Sequence, residues 1–169
     1  VRAQGDAAQR AFAGEAVRWW VGAPVHAHAV AAGFMARAGD LDAARREVDI
    51  VLELGAWQAD RSYLWSVFVG NLTDAAVRLE DAELCARILD EFRPVTSSCG
   101  VNGAVIAFAG SHAHFAGIAA ASLGRHEEAR ALLEQALAVH ARLGARVWEA
   151  ASGDAHHQAG DGSHEGEAL

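Results

Sequence analysis

The sequence predicts an all-α fold, and three observations carry that prediction. Apolar residues make up 52% of the 169-residue chain and recur with a helical period through most of it. Proline occurs only twice, which favours helices over an all-β chain. Reversals of direction fall at regular places, Gly39, Glu80 and Gly124, spaced 41 and 44 residues apart. A period of that size, with two helices per unit, marks a helical-repeat solenoid.

Taken in order, Asp6 opens the first helix with Gln9 as its capping-box partner. Phe12, Ala16, Trp19 and Trp20 form its apolar face, and Gly22 ends it. Pro24 suits the first turn of a second helix, which carries Val25, Ala29, Ala32, Met35 and Ala36 and stops at Gly39. Asp40 caps a third, with a stripe of Leu41, Ala44, Val48, Val51 and Leu52, terminated by Gly55. Asp60 starts a fourth helix that buries Leu64, Trp65, Phe68, Val69, Leu72 and Ala76. The turn at Leu79-Glu80 leads into a fifth with Leu84, Cys85, Ile88, Leu89 and Phe92, closed by Pro94, and the stretch VTSSCGVN follows as a loop.

The clearest element lies in Gly103–Gly144, expected to be two antiparallel helices joined at Gly124-Arg125. In the second of them Ala129, Leu132, Leu133, Ala136, Leu137 and His140 share one helical face, and Gly144 is a natural residue to follow its end. The first is rich in Ala and Gly. Gly103, Gly110, Gly117 and Gly124 stand seven apart, a stripe against which another backbone packs closely. Beyond Gly144 the period decays. The expected organisation is therefore an α-solenoid of about three hairpins over residues 1–151, followed by a disordered Gly/His/acidic tail over 152–169.

Charge and composition exclude several functions. The net charge is −8, and all 14 basic residues are Arg. Without Lys the chain forms neither a P-loop, nor a kinase centre, nor a Schiff base. Acidity with dispersed Arg argues against nucleic-acid binding. Cys85 and Cys99 have no redox or metal spacing and fit a reducing compartment. Residues 94–124 carry no charged side chain, but Ala and Gly are weakly lipophilic and Ser111, His112 and His114 would sit near a bilayer centre, so a buried helix is expected there.

The segments DLDAARREVDIVLELGAW, RSYLWSVFVGNLTDAAVRLEDAELCARILDEFRP and GRHEEARALLEQALAVHARLGAR have the rhythm of tetratricopeptide hairpins. Ala116-Gly117 stands at the template's L-G and Ala129-x3-Leu133 at its A-x3-F, while Ala113, Ala120 and Ala141 replace its Trp, Tyr and Pro. Over roughly residues 25 to 150 the chain resembles the C-terminal TPR-like region of large bacterial signalling ATPases, among them LuxR-type and SARP-type transcriptional regulators and cyclase-type proteins. The resemblance implies a cytoplasmic regulatory arm whose ATPase and DNA-binding domains lie upstream, outside this chain.

No residue pattern points to chemistry. His26 and His28, like His112 and His114, are two apart and so about 200° apart on a helix, unable to chelate from one face. The tail histidines His156, His157 and His164 lack a framework. Ser66, Ser111 and Asp154 are scattered, and no G-x-S-x-G turn is present. No catalytic, cofactor or metal residue is therefore expected. His140 is expected to be a buried histidine with one hydrogen-bond partner. In the template register His26, Asp74, Arg78 and His114 face the concave groove, where a protein or peptide partner binds. The expected function is a non-catalytic regulatory or protein-interaction module, with a stand-alone cytoplasmic TPR adaptor or scaffold as the alternative. Self-association through exposed apolar ends is compatible with either.

Overall fold

The computed structural model describes residues 5–19, 22–55, 57–102 and 107–165, with side chains described at all of these except 19 and 161–165. These residues form eight α-helices and one two-stranded hairpin: α1 (Asp6–Trp19), α2 (Pro24–Arg37), α3 (Leu41–Leu54), α4 (Trp65–Arg78), α5 (Ala82–Phe92), β1 (Cys99–Asn102), β2 (Ala107–Ser111), α6 (His112–Ser122), α7 (His126–Leu143) and α8 (Arg146–Glu165). The helical class expected from the sequence is present, with the hairpin as its one exception. Two compact units are present: the first contains α1–α4 with the outer part of the hairpin, the second α5–α8 with its base.

In the first unit α2 is the central helix and packs against α1, α3 and α4. Pro24 sits at its first turn, where a missing N–H costs nothing. Gly39 turns the chain at φ +77°, and the Asp40 carboxylate then caps α3 by accepting the Ala43 N–H at 3.2 Å. The approach of α2 to α4 depends on Gly33. A Cβ there would stand 2.6 Å from the Asn71 carbonyl oxygen and 2.7 Å from Asn71 Cβ. Around that contact Ala29, Ala32, Phe68, Val69, Leu72 and Ala76 are fully buried. Each large apolar side chain of this kind contributes about 1.5–3 kcal/mol when removed from water.

The fourth helix begins at Trp65, not at Asp60. Asp60 is spent elsewhere: its carboxylate accepts the Ser62 N–H at 2.7 Å and a bond from His26, holding residues 60–62 in a turn. The α4–α5 reversal places Glu80 in the left-handed region at φ +53°, so the turn expected at Leu79-Glu80 is made without glycine.

In the second unit α6 packs against α5 and α7, and α8 packs against α7. Nearly every residue of α6 from His112 to Ala120 is buried, which its small side chains permit. Gly117 faces Leu133, whose Cγ would lie 2.7 Å from an added Cβ. On α7 the expected face is buried at Ala129, Leu133, Ala136 and His140, and Gly144 ends the helix at φ +63°.

Two expectations are corrected here. Residues 99–102 and 107–111 are strands, so the helix expected from Gly103 begins only at His112, capped by the Ser111 hydroxyl. Gly110 is on β2 at φ +98° with the Trp148 ring against it, Gly124 is in a turn, and only Gly117 of the seven-residue glycine stripe lies in a helix. Gly103 falls outside the described residues. The segment expected to be a disordered tail is helical as far as Glu165: α8 runs through the boundary drawn at 151/152 and buries Ser152 and Ala159. The remaining tail residues, 166–169, lie outside the described part.

Candidate functional site

The polar chemistry of the first unit gathers on Arg37, the last residue of α2. Its guanidinium donates to Asp74 Oδ2 at 2.5 Å and to Asn71 Oδ1 at 2.9 Å, both on α4. It also reaches Gln9 Oε1 on α1 at 3.4 Å and lies 4.9 Å from the Phe34 ring centroid. The side chains of Arg37 and Asp74 are 9% and 8% exposed. A planar fork with several donors suits this task, because one side chain can satisfy acceptors on two other helices. Asn71 is itself oriented by donating its amide to the Val67 carbonyl at 2.8 Å.

At the other end of α2, His26 Nε2 donates to Asp60 Oδ2 at 2.6 Å, and its ring stacks on Phe68 with centroids 4.4 Å apart. Burial pushes the Asp60 carboxyl upward, but the Ser62 N–H and hydroxyl together with His26 outweigh it and hold the group below its ordinary value. His28, on a different face, donates from Nδ1 to Glu47 on α3 at 2.6 Å.

The second unit contains a buried histidine–serine chain whose proton positions follow from its geometry. The Ser111 backbone N–H donates to His140 Nε2 at 3.0 Å, so that nitrogen carries no proton. The proton of the neutral ring is then on Nδ1, which donates to Ser152 Oγ at 3.1 Å. The Ser152 hydroxyl in turn donates to His114 Nδ1 at 2.9 Å. One serine of α8 thus bridges histidines of α6 and α7. His140 and Ser152 have no exposed surface, and His114 is 2% exposed. The Trp148 ring closes the cluster, edge-on to His114 at 5.5 Å and to Phe115 at 5.6 Å, and tilted over His140 at 5.9 Å. Burial lowers the His140 pKa, opposed by a hydrogen bond to the Trp148 backbone and by nearby Glu149. Beside this cluster His112 packs on Phe92 and lies 2.9 Å by Nδ1 from the Ser98 hydroxyl. Burial lowers its pKa as well, opposed by a hydrogen bond to the Val95 backbone.

Of the four residues assigned to a concave groove, the structure buries three. His26 is bonded to Asp60, Asp74 to Arg37 and His114 to Ser152, each inside its own unit. Arg78, the last residue of α4, is exposed. The template register aligned these positions along helices but carried no information about partners more than 30 residues away. His140 is buried as expected, but its ring is bonded to the Ser111 N–H, to Ser152 and to the Trp148 backbone in place of a single partner. Arg37 and Asn71 were not singled out, nor was the pairing of Ser152 with Trp148. A signal for the last two was available: Trp148, Ser152 and Ala159 recur at helical spacing, but two of the three are small.

The arrangement defines a mostly helical protein whose polar interior ties helices together. Among the described residues no group of three or more His, Cys, Asp or Glu is placed to hold a metal ion, and no helix is long and apolar enough to cross a membrane. No family model, curated protein or solved structure matches the chain.

Proposed function

We propose that this chain is a non-catalytic, TPR-like interaction module whose partner is a protein or peptide. The observation that supports the reading is the packing of α2, which lies against α3, its neighbour across the Gly39 turn, and also, through Gly33, against α4. Packing of a first helix on both neighbours is how helical repeats stack. The buried polar groups agree with a scaffold role, since the ring nitrogens of His140 and the fork of Arg37 are engaged in bonds between helices. By resemblance, the module is the cytoplasmic sensor arm of a bacterial transcriptional regulator or cyclase-type ATPase, with the nucleotide-binding and DNA-binding domains upstream.

The size of the native polypeptide in its source cell, read by immunoblot against residues 126–146, separates the two forms of this proposal. A band far above the mass of this chain supports the regulatory arm. A single band at its own mass removes that reading and leaves the stand-alone adaptor. The interaction itself is tested with a photo-crosslinking residue at Arg78, the exposed position of the proposed groove, and at Asp42 as a control. A discrete protein adduct specific to position 78 supports the groove, and equal or absent adducts at both positions overturn it.

A further inference from the structure

The second unit holds a helix, α8, whose buried face rests on a histidine–serine chain. Two independent observations meet at α8. The first is its own sequence: Gly153, Gly160 and Gly162 lie within the span Arg146–Glu165, and glycine is a poor helix former in a helix interior. Arg146, Val147, Glu149, Ala150, Asp154, His157 and Gln158 are exposed, so α8 exists as a helix because it is docked. The second is the nature of the dock. Ser152, at the centre of the buried face, is bonded to His140 and His114, and Trp148 lies across both rings.

We propose that α8 is an acid-released helix: protonation of His140 undocks Arg146–Glu165 from α6 and α7, and the freed segment loses its helical structure. The bonding geometry gives the reason. A second proton on His140 must go to Nε2, where the Ser111 N–H already points at 3.0 Å. Two donors then face each other, the Ser111 N–H is left without its acceptor, and a positive charge sits in a fully buried site under the Trp148 ring. Release of α8 exposes the ring to water, which hydrates the charge and lets the ring turn away from the Ser111 N–H.

The charged and titratable groups around His140 act in both directions. Glu149 on α8 favours the charged ring electrostatically, and His114 on α6, its ring 6.2 Å away, is linked to it through Ser152. Farther along α8, His156 stands 3.4 Å from Glu134 on α7, and a positive His156 would hold the helix in place. Glu134 is 61% exposed in that pair, so solvent screens the contact and its contribution is small.

The test is native-state hydrogen exchange on the full chain, normalised for intrinsic exchange rates, at pH 7.5 and 5.0. With the released ring titrating near an ordinary value of about 6.5 and the docked ring held lower by burial, the opening constant of α8 rises between these pH values, by at most roughly thirtyfold. Amides of Ala129–Ala136 on α7 keep their protection. His140→Gln supplies a carbonyl oxygen to the Ser111 N–H without a titrating group, and its α8 shows no such rise. Unchanged α8 protection in the wild-type chain overturns the proposal, as does parallel loss across α7, or the same rise in H140Q. If H140Q fails to fold, the ring nitrogen shifts of wild-type His140 decide. An unprotonated Nε2 at pH 7.5 whose protonation midpoint coincides with α8 release supports the proposal. A protonated Nε2 at pH 7.5, or a midpoint apart from release, overturns it.

Discussion

Replacing Asp74 by Ala isolates the buried charge that joins α2 to α4. In the native chain the Arg37–Asp74 pair is short and less than a tenth exposed on either side. Removing the carboxylate leaves a desolvated guanidinium with two neutral acceptors, Asn71 Oδ1 and Gln9 Oε1. Breaking one side of a buried pair costs about 3–5 kcal/mol, and the surviving acceptors place Asp74→Ala near the lower end, at about 3 kcal/mol. For a chain of this size that corresponds to a fall in Tm of roughly 6–12 °C. Urea unfolding followed by circular dichroism measures the free energy, and calorimetry the midpoint. The same reasoning makes a second demand. The double variant R37M/D74L carries no orphan charge and fills the space with apolar atoms, so it is more stable than D74A and than R37M. A cost for D74A below about 1 kcal/mol, the range of a solvated surface pair, would refute the assignment of this bond as a buried clamp. Additive losses in the double variant would refute it equally.

Three further outcomes are expected. Gly33→Ala places a methyl 2.6 Å from the Asn71 carbonyl oxygen and destabilises by about 1–3 kcal/mol despite better helix propensity; Gly14→Ala, with open space around it, gains about 0.5–1 kcal/mol instead, and urea midpoints compare the two. Asp40→Ala removes the acceptor for the Ala43 N–H and costs about 1 kcal/mol by the same measurement. Stability also falls on mild acidification. The native pKa values of His140 and His112 are depressed by burial, so below about pH 6.5 the unfolded chain takes up protons that the native chain does not, and stability declines as pH drops toward the depressed values. Urea unfolding at pH 7.5 and 5.5 checks the sign, and equal stability at both would contradict it.

Much of the helical layout was legible because it is locally encoded. The turns at Gly39, Glu80 and Gly124, the Asp40 cap and the apolar face of α7 each depend on residues within a few positions of one another, and the structure has them in place. The β-hairpin was not legible. Apart from Phe108, Ala107–Ser111 is small, uncharged and adjacent to a helix, so it reads as a pale extension of that helix; its strand conformation goes with Trp148 seated against Gly110, a contact across 38 residues of sequence. The helix α8 escaped for a related reason. Its buried side is made of Ser152 and Ala159, which an apolar count passes over, while its glycines read as disorder. The polar interior was the least legible part. His26–Asp60, Arg37–Asp74 and His114–Ser152 each join residues 34 to 38 positions apart, and no period along a single helix predicts which buried polar group meets which.

The Arg37 fork gives this last comparison a chemical edge. A guanidinium keeps its charge at every pH a folded chain meets, so the interior of the first unit is ionic under all ordinary conditions. The interior around His140 is uncharged only while protons are scarce. One chain therefore holds two polar cores governed by different solution variables. Chaotropic salts and competing carboxylates are the agents that unsettle the α1–α2–α4 clamp, whereas hydronium is the agent for the α6–α7–α8 bridge. Titrating one variable with the other held constant would read out each half of the molecule separately, without cutting the chain.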